Sequence, residues 1–233
     1  MRYMVKMLTE RQGKILNCIV GEYISSKTPV GSKILTKKYK FGIKPPTMRI
    51  EFQKLTDMGY LAQPHTSAGR VPTDKGYRFY VDNLHSSVFN RGFDSIEQEM
   101  EDSLGFFQTM TKKIAELTSN LAITYFPEEG IVFKEGWDEI FKEPEFEDST
   151  FIAKFMEAVQ SFEKHIDELE DFDDPRVFIG KENKMVQAPE FSTIVSRIHL
   201  SKEREGVVII LGPKRMAYDK NVGIMNSLIK LLE

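Results

Sequence analysis

Between Thr9 and Leu84 the apolar residues fall at helical spacing in short bursts, and proline or glycine cuts each burst off. That punctuation limits the stretch to a few short helices joined by tight turns. Leu8, Ile15, Leu16, Ile19, Val20 and Tyr23 predict a first helix over residues 9–25, capped by Thr9 and broken at Lys27-Thr28-Pro29. Ser32 is expected to cap a second short helix carrying Ile34, Leu35 and Tyr39, and Gly42 suits the next turn because it adopts positive φ without strain. Pro45-Pro46 opens a third helix reaching about Met58, since proline fits a first turn whose amides lack helical partners. Gly59 ends it and Tyr60-Leu61 begins a strand. Residues 62–72, with Pro64, Ser67, Gly69 and Pro72, read as a turn-rich loop. Thr73 then caps a fourth helix ending near Leu84.

Three short helices, a strand and such a loop are the parts of a winged helix-turn-helix, whose second helix-turn-helix member enters the DNA major groove. On the third helix Met48, Phe52, Leu55 and Met58 form the inward stripe. Thr47, Arg49, Ile50, Gln53 and Lys54 are left facing outward. Arg49 and Gln53 lie one helical turn apart, and arginine and glutamine are side chains that hydrogen-bond guanine and adenine edges. Thr47, Arg49, Ile50 and Gln53 are therefore the candidate base readers. Ser32, Lys33, Lys37, Lys38, Lys44 and Lys54 are candidates for phosphate contact. A helical bundle with a solvated basic face would give the same pattern.

Charge divides at the same point. Residues 1–84 hold 15 Lys and Arg against 6 Asp and Glu, and residues 85–233 hold 17 against 29. A basic module joined to an acidic one suggests that the first part meets a polyanion and the second does not, although two solvated surfaces would carry the same charges. No apolar run approaches the roughly 18 residues of a membrane span. The first residues lack the apolar core of a signal peptide, and a single cysteine, Cys18, allows no internal disulfide. Cys18 falls on the apolar side of the first helix, where a buried, inert thiol is expected. These features together predict a cytoplasmic protein.

The stretch from Leu8 to Leu84 resembles the N-terminal domain of the HrcA family, the heat-inducible transcription repressors. The resemblance rests on Glu22-Tyr23-Ile24, Pro29-Val30-Gly31-Ser32-Lys33, Thr47-Met48-Arg49, Gly59-Tyr60-Leu61 and above all the run from Gln63 to Asp82. It implies a wing at residues 62–72 carrying His65, Thr66, Ser67, Gly69 and Arg70, with His65, Thr66, Ser67 and Arg70 at the tip. It further implies a dimer on an inverted-repeat operator of double-stranded DNA upstream of chaperone genes, repression of transcription there, and support of the active form by a chaperonin. Shorter likenesses follow in Trp137–Phe146, with Glu143-Pro144-Glu145-Phe146, in Val177–Gly180 and in Leu211–Tyr218, which resemble parts of the family's GAF-like C-terminal domain. Two departures stand out. Strands and a dimerisation module expected between Phe126 and Trp137 are missing, and Ile50 stands where the family commonly has Asn.

In the second half, Phe93, Met100, Phe107, Ile114 and Leu121 repeat every seven residues, which predicts one long helix from Asp94 to about Leu121. Two readings fit this stripe: a coiled-coil dimer seam through Met100, Phe107, Ile114 and Leu121, or packing on the chain's own sheet. Thr150 to about Leu169 reads as a second amphipathic helix, followed by the acidic cluster Glu168–Asp174, a solvated turn or a divalent-ion site. Arg176–Ile179, Thr193–Leu200 and Gly206–Leu211 read as strands of a three- or four-stranded module. Ser192, Ser196 and His199 suggest that one sheet face is solvated. A last helix covers Tyr218–Leu232. Gly212-Pro213-Lys214-Arg215 is either an anion site or a turn with a surface basic pair.

The expected fold is α+β: a winged helix-turn-helix at 1–84, a linker at 85–93, and at 94–233 a long linking helix with a small, truncated GAF-like α/β module. The four histidines have no ligand spacing, and neither a phosphate-binding glycine loop nor a zinc motif occurs, so no cofactor, metal or enzyme activity is expected. The leading reading is a sequence-specific repressor of heat-shock genes that acts as a homodimer. The alternative is a chaperone-binding or sensor protein that keeps the fold without operator-specific repression.

Overall fold

Helix α1 (Glu10–Ser26) begins at a reciprocal cap. Thr9 Oγ1 accepts from the Gln12 amide at 3.3 Å while Gln12 Oε1 accepts from the Thr9 amide at 3.0 Å. The remaining end of the Gln12 side chain donates to Glu51 Oε2 at 3.1 Å, so one residue both caps α1 and ties it to the third helix. The computed structural model describes residues 8–84, 104–166, 174–183, 188–200 and 204–232. The chain divides into two units, Met1–Leu84 and His85–Glu233.

In the first unit α1 is followed by α2 (Ser32–Lys38), α3 (Pro45–Asp57), the two-stranded hairpin of β1 (Leu61–Ala62) and β2 (Val71–Pro72), and α4 (Asp74–Asp82). The four helices come in the expected order, while Val71–Pro72, read as the end of a loop, forms a second strand paired with Leu61–Ala62. Ile15, Leu16, Ile19, Val20, Leu35, Met48 and Leu55 are wholly buried and form its core. Glu22 reaches from α1 to the end of α2, where it accepts from Lys38 and, at 2.7 Å, from the Tyr39 hydroxyl. Two expectations need correction. Ser32 opens α2 rather than capping it; Gly31 takes the cap position and makes no side-chain bond there. Cys18 is partly exposed rather than buried, and burial, then the Glu22 charge, pushes its thiol up and away from reactivity.

The second unit runs α5 (Leu104–Thr118), β3 (Leu121–Phe126), β4 (Ile131–Glu135), α6 (Trp137–Ile140), α7 (Ser149–His165), β5 (Arg176–Ile179), β6 (Phe191–His199), β7 (Glu205–Pro213) and α8 (Tyr218–Leu232). The strands form one antiparallel sheet in the order β4-β3-β7-β6-β5. Alternate residues point to opposite faces. Leu121, Ile123, Tyr125, Phe191, Val195, Val207, Ile209 and Leu211 share a core with α6, α7 and Phe146. The other face meets α5 and α8, as the Phe107–Phe126 ring contact at 4.4 Å and the Ser192 Oγ–Tyr218 hydroxyl bond at 2.8 Å record.

Here the structure corrects the sequence reading in three ways. The sheet has five strands, not three or four, because Leu121–Phe126 and Ile131–Glu135 add a hairpin. Ser192 and Ser196 are buried, so helices cover both faces where a solvated face was expected. Helix α5 ends at Thr118 and Leu121 opens a strand, while Phe107 and Ile114 are buried with the chain's own sheet. A dimer seam through Phe107, Ile114 and Leu121 does not hold, because this unit's own core covers those side chains. Met100, the linker 85–93 and most of the acidic cluster lie outside the described residues.

Candidate nucleic-acid interface

Helix α3 is positioned from both ends. At its start Pro45 and Pro46 have no N–H, and Lys44 at the cap position brings no accepting side chain. The first turn therefore offers a phosphate little beyond the Thr47 amide. At its end Gly59, at φ 77°, takes the left-handed turn, with Gly59 N–H donating to Thr56 O and Tyr60 N–H to Leu55 O, both at 2.9 Å. Lys75 Nζ and Thr73 Oγ1, from the start of α4, close the same end by donating to Met58 O at 2.9 Å and Gly59 O at 2.7 Å.

Burial of Met48, Phe52 and Leu55 turns the opposite face outward. Thr47, Arg49, Ile50, Gln53 and Lys54 are all exposed, and Met58 is half-buried. The five side chains are not equally available. Gln53 Nε2 donates to Asp57 Oδ1 at 2.7 Å, and Gln53 Oε1 accepts from Arg70 at 3.4 Å. Lys54 pairs with Glu51 at 3.1 Å. Arg49 has no ion pair or side-chain hydrogen bond among the described residues.

The loop between β1 and β2 leans on the same helix. Arg70 Nε donates to Thr56 Oγ1 at 3.1 Å, and the Arg70 and Val30 backbones exchange two hydrogen bonds of 2.9 Å. A Cβ on Gly69 would lie 2.5 Å from the Val30 carbonyl, so only glycine allows that approach. At the far end His65 and Ser67 share a hydrogen bond of 3.1 Å, and Gln63 Nε2 donates to the Thr66 carbonyl at 2.8 Å. His65, Thr66 and Ser67 are exposed at the loop's end, whereas Gly69 and Arg70 sit at its base. That corrects the expectation of Arg70 at the tip.

Among the candidate phosphate contacts, Lys33, Lys37 and Lys44 are exposed and without an ion pair among the described residues. Lys38 is exposed but held by Glu22, and the hydrogen bonds from Lys38 and Tyr39 bring the Glu22 carboxyl below the usual glutamate range. Burial raises the Glu51 carboxyl, but hydrogen bonds from Lys54 and Gln12 outweigh it and leave it lowered. Ser32 is buried, so its hydroxyl is poorly placed for a phosphate.

The sequence reading missed Thr56, Asp57 and Lys75, which steady α3 and the loop. Their only signal was small or charged side chains beside a helix end. In the second unit the open question at Lys214-Arg215 is resolved. The Arg215 side chain is 9% exposed and forks onto Glu143 and Glu145, so it ties the segment after β7 to the one before α7 rather than holding an anion. Glu143-Pro144-Glu145-Phe146 thus has a structural role, completed by Phe146 packing on Phe155 at 5.0 Å. Among the described residues no group of three or more His, Cys, Asp or Glu gathers as metal ligands would, and no helix is long and apolar enough to cross a membrane.

Comparison with known proteins agrees with this architecture. A crystallographically solved hypothetical protein superposes with a TM-score of 0.78 over 97% of this chain and 98% of its own, at 20% identity, which establishes the fold. The heat-inducible transcription repressor HrcA of Thermoanaerobacter sp. (strain X514) is 41% identical over 114 residues, 49% of this chain and 33% of that protein. Its counterpart from Carboxydothermus hydrogenoformans is 43% identical over 132 residues, 54% of this chain and 39% of the relative. The chain thus spans little more than a third of the curated relatives it matches. The family profile described as HrcA protein C-terminal domain matches residues 80–222, well over half of the chain, and the chain belongs to the HrcA family.

Proposed function

We propose that the chain is a sequence-specific DNA-binding repressor of heat-shock genes, whose first unit acts as a winged helix-turn-helix with α3 in the major groove. The observation that carries this reading is the exposed face of α3, where an uncommitted Arg49 lies one turn from Gln53 on a strongly basic unit. Thr47 and Ile50 complete the base-reading face. Lys33, Lys37 and Lys44 supply phosphate contacts, with Lys38 and Lys54 joining once they leave Glu22 and Glu51. His65, Thr66 and Ser67 meet the backbone or minor groove, while Gly69 and Arg70 hold the wing to the body. The relatives' name, heat-inducible transcription repressor, supports the class of target.

Two subunits on an inverted repeat present two copies of α3 to successive major grooves. The dimer contact lies outside Phe107, Ile114 and Leu121, which the second unit's core consumes. The protein works in the cytoplasm without catalysis, and a chaperonin is the partner that would couple repression to folding load. Selection of sites from random duplex DNA, with affinity then measured at two salt concentrations, tests the reading. Enrichment of an inverted repeat bound ~10³-fold or more above random duplex is expected. Weak, salt-steep and sequence-blind binding would overturn it and favour a chaperone-binding or sensor protein.

A further inference from the structure

An isoleucine, Ile50, that is 57% exposed stands on the outward face of α3 that also carries Arg49 and Gln53. Neither its own helix nor the wing buries it, although the same helix buries Met48, Phe52 and Leu55 almost completely. Leaving such a side chain in water is unfavourable, and among the described residues none covers it enough to offset that cost. Its neighbours on the face are chemically distinct. Thr47, three residues before, and Gln53, three residues after, lie on the same side of the helix. In the major groove, the base-pair feature that an aliphatic side chain can recognise is the thymine C5-methyl group, since every other base edge presents hydrogen-bond donors or acceptors.

We infer that Ile50 reads a thymine in each half-site of the operator by packing on its C5-methyl group, beside the base pair read by Arg49. The inference rests on α3 being the reading helix. It assigns Ile50 specificity rather than general affinity: an aliphatic side chain cannot hydrogen-bond a purine edge, and it leaves the cytosine amino group without a partner. The exposed isoleucine is thus a methyl sensor on a face otherwise made of charge and hydrogen bonds.

A two-way cycle of side chain against methyl group tests this, using the full chain and the duplex recovered by site selection. Each thymine of a half-site is replaced in turn by uracil, which removes only the methyl. At one position wild-type binding should fall about fourfold, the value of one buried methyl-sized group. Ile50→Ala, an exposed change to a good helix former, removes the contact from both half-sites, so it should lose about the square of that factor, roughly sixteenfold, on the thymine duplex and should not distinguish thymine from uracil there. Selection with Ile50→Asn should change the preferred base at that position and leave the Arg49 position intact. If sequence-specific binding is present but no uracil weakens it, the methyl reading is wrong while the repressor reading stands. If uracil weakens wild type and Ile50→Ala equally, another side chain senses the methyl. If no sequence is preferred at all, both readings fall together.

Discussion

Arg49 and Arg215 have the same side chain and opposite fates. Arg215 is folded into the second unit, where Glu143 and Glu145 accept from its guanidinium. Arg49 stands in solvent on α3 with its hydrogen-bonding capacity unspent among the described residues. The contrast extends to their surroundings. In the second unit both sheet faces are covered, and ion pairs such as Lys154 with Glu190 and Lys134 with Glu163 join elements distant in sequence. In the first unit a small core supports an exposed face on which Arg49 stands uncommitted beside Gln53 and Lys54, which have partners on the protein. A charge buried with its partners, as Arg215 is, has an architectural role, and an exposed charge without one, as Arg49 is, is available to a ligand.

Substitutions can break this comparison. The largest effect should come from Arg215→Ala, which leaves two half-buried carboxylates facing each other. We expect a loss of about 3 kcal/mol in stability, read as a lowered calorimetric transition, with operator affinity of the folded protein unchanged. A transition at the wild-type temperature would show that the Glu143–Arg215–Glu145 cluster is only a surface pairing. Arg49→Ala should do the reverse. Operator binding should weaken by about 2 kcal/mol, with relaxed preference at one base pair and unaltered unfolding. Binding that stayed at full strength would remove Arg49 from the reading set.

A smaller effect concerns pH. Glu22 is lowered by its hydrogen bonds from Lys38 and Tyr39, and Glu51 is lowered by Lys54 and Gln12 despite its burial. A carboxyl depressed in the folded state contributes stability above its unfolded value and loses it as pH falls through the folded one. The first unit should therefore weaken below the ordinary glutamate range, and Glu22→Gln should flatten that dependence. An identical acid profile in the variant would place the sensitivity elsewhere. The smallest change is expected for Lys37→Ala, which should weaken all duplex sequences alike and reduce the salt slope by about 0.9. A sequence-dependent loss would make Lys37 a base reader instead.

Much of α3 was legible beforehand because one period of 3.6 residues sorts most of it, with Met48, Phe52 and Leu55 inward and Thr47, Arg49, Ile50 and Gln53 outward, although Met58 is only half-buried and Glu51 is buried. What holds that face was not legible. Arg70 is 17 residues from Gln53, and the Val30 backbone that admits Gly69 is farther still, so no local pattern announces the latch. The heptad of Phe107 and Ile114 misled for a related reason. A coiled-coil seam and a helix lying on its own sheet demand the same apolar spacing, and a short strand such as Leu121–Phe126, buried on both faces, has no alternation to mark its start. Ser192 and Ser196 looked solvated because a hydroxyl in a strand predicts water, yet Ser192 finds the Tyr218 hydroxyl 26 residues away.

By itself, then, the sequence determined the local events: the helices of the first unit and their breaks, the Thr9 and Thr73 caps, the closing helix Tyr218–Leu232 and the outward chemistry of α3. All of these depend on residues within a few positions of one another, where backbone sterics and periodicity act directly. Tertiary structure alone decided which polar groups were consumed, binding Lys38 to Glu22 and Arg215 to Glu143 and Glu145 while leaving Arg49 without a partner among the described residues. Those choices depend on side chains brought together across the fold, and a desolvated charge or hydroxyl is stable only where such a partner arrives.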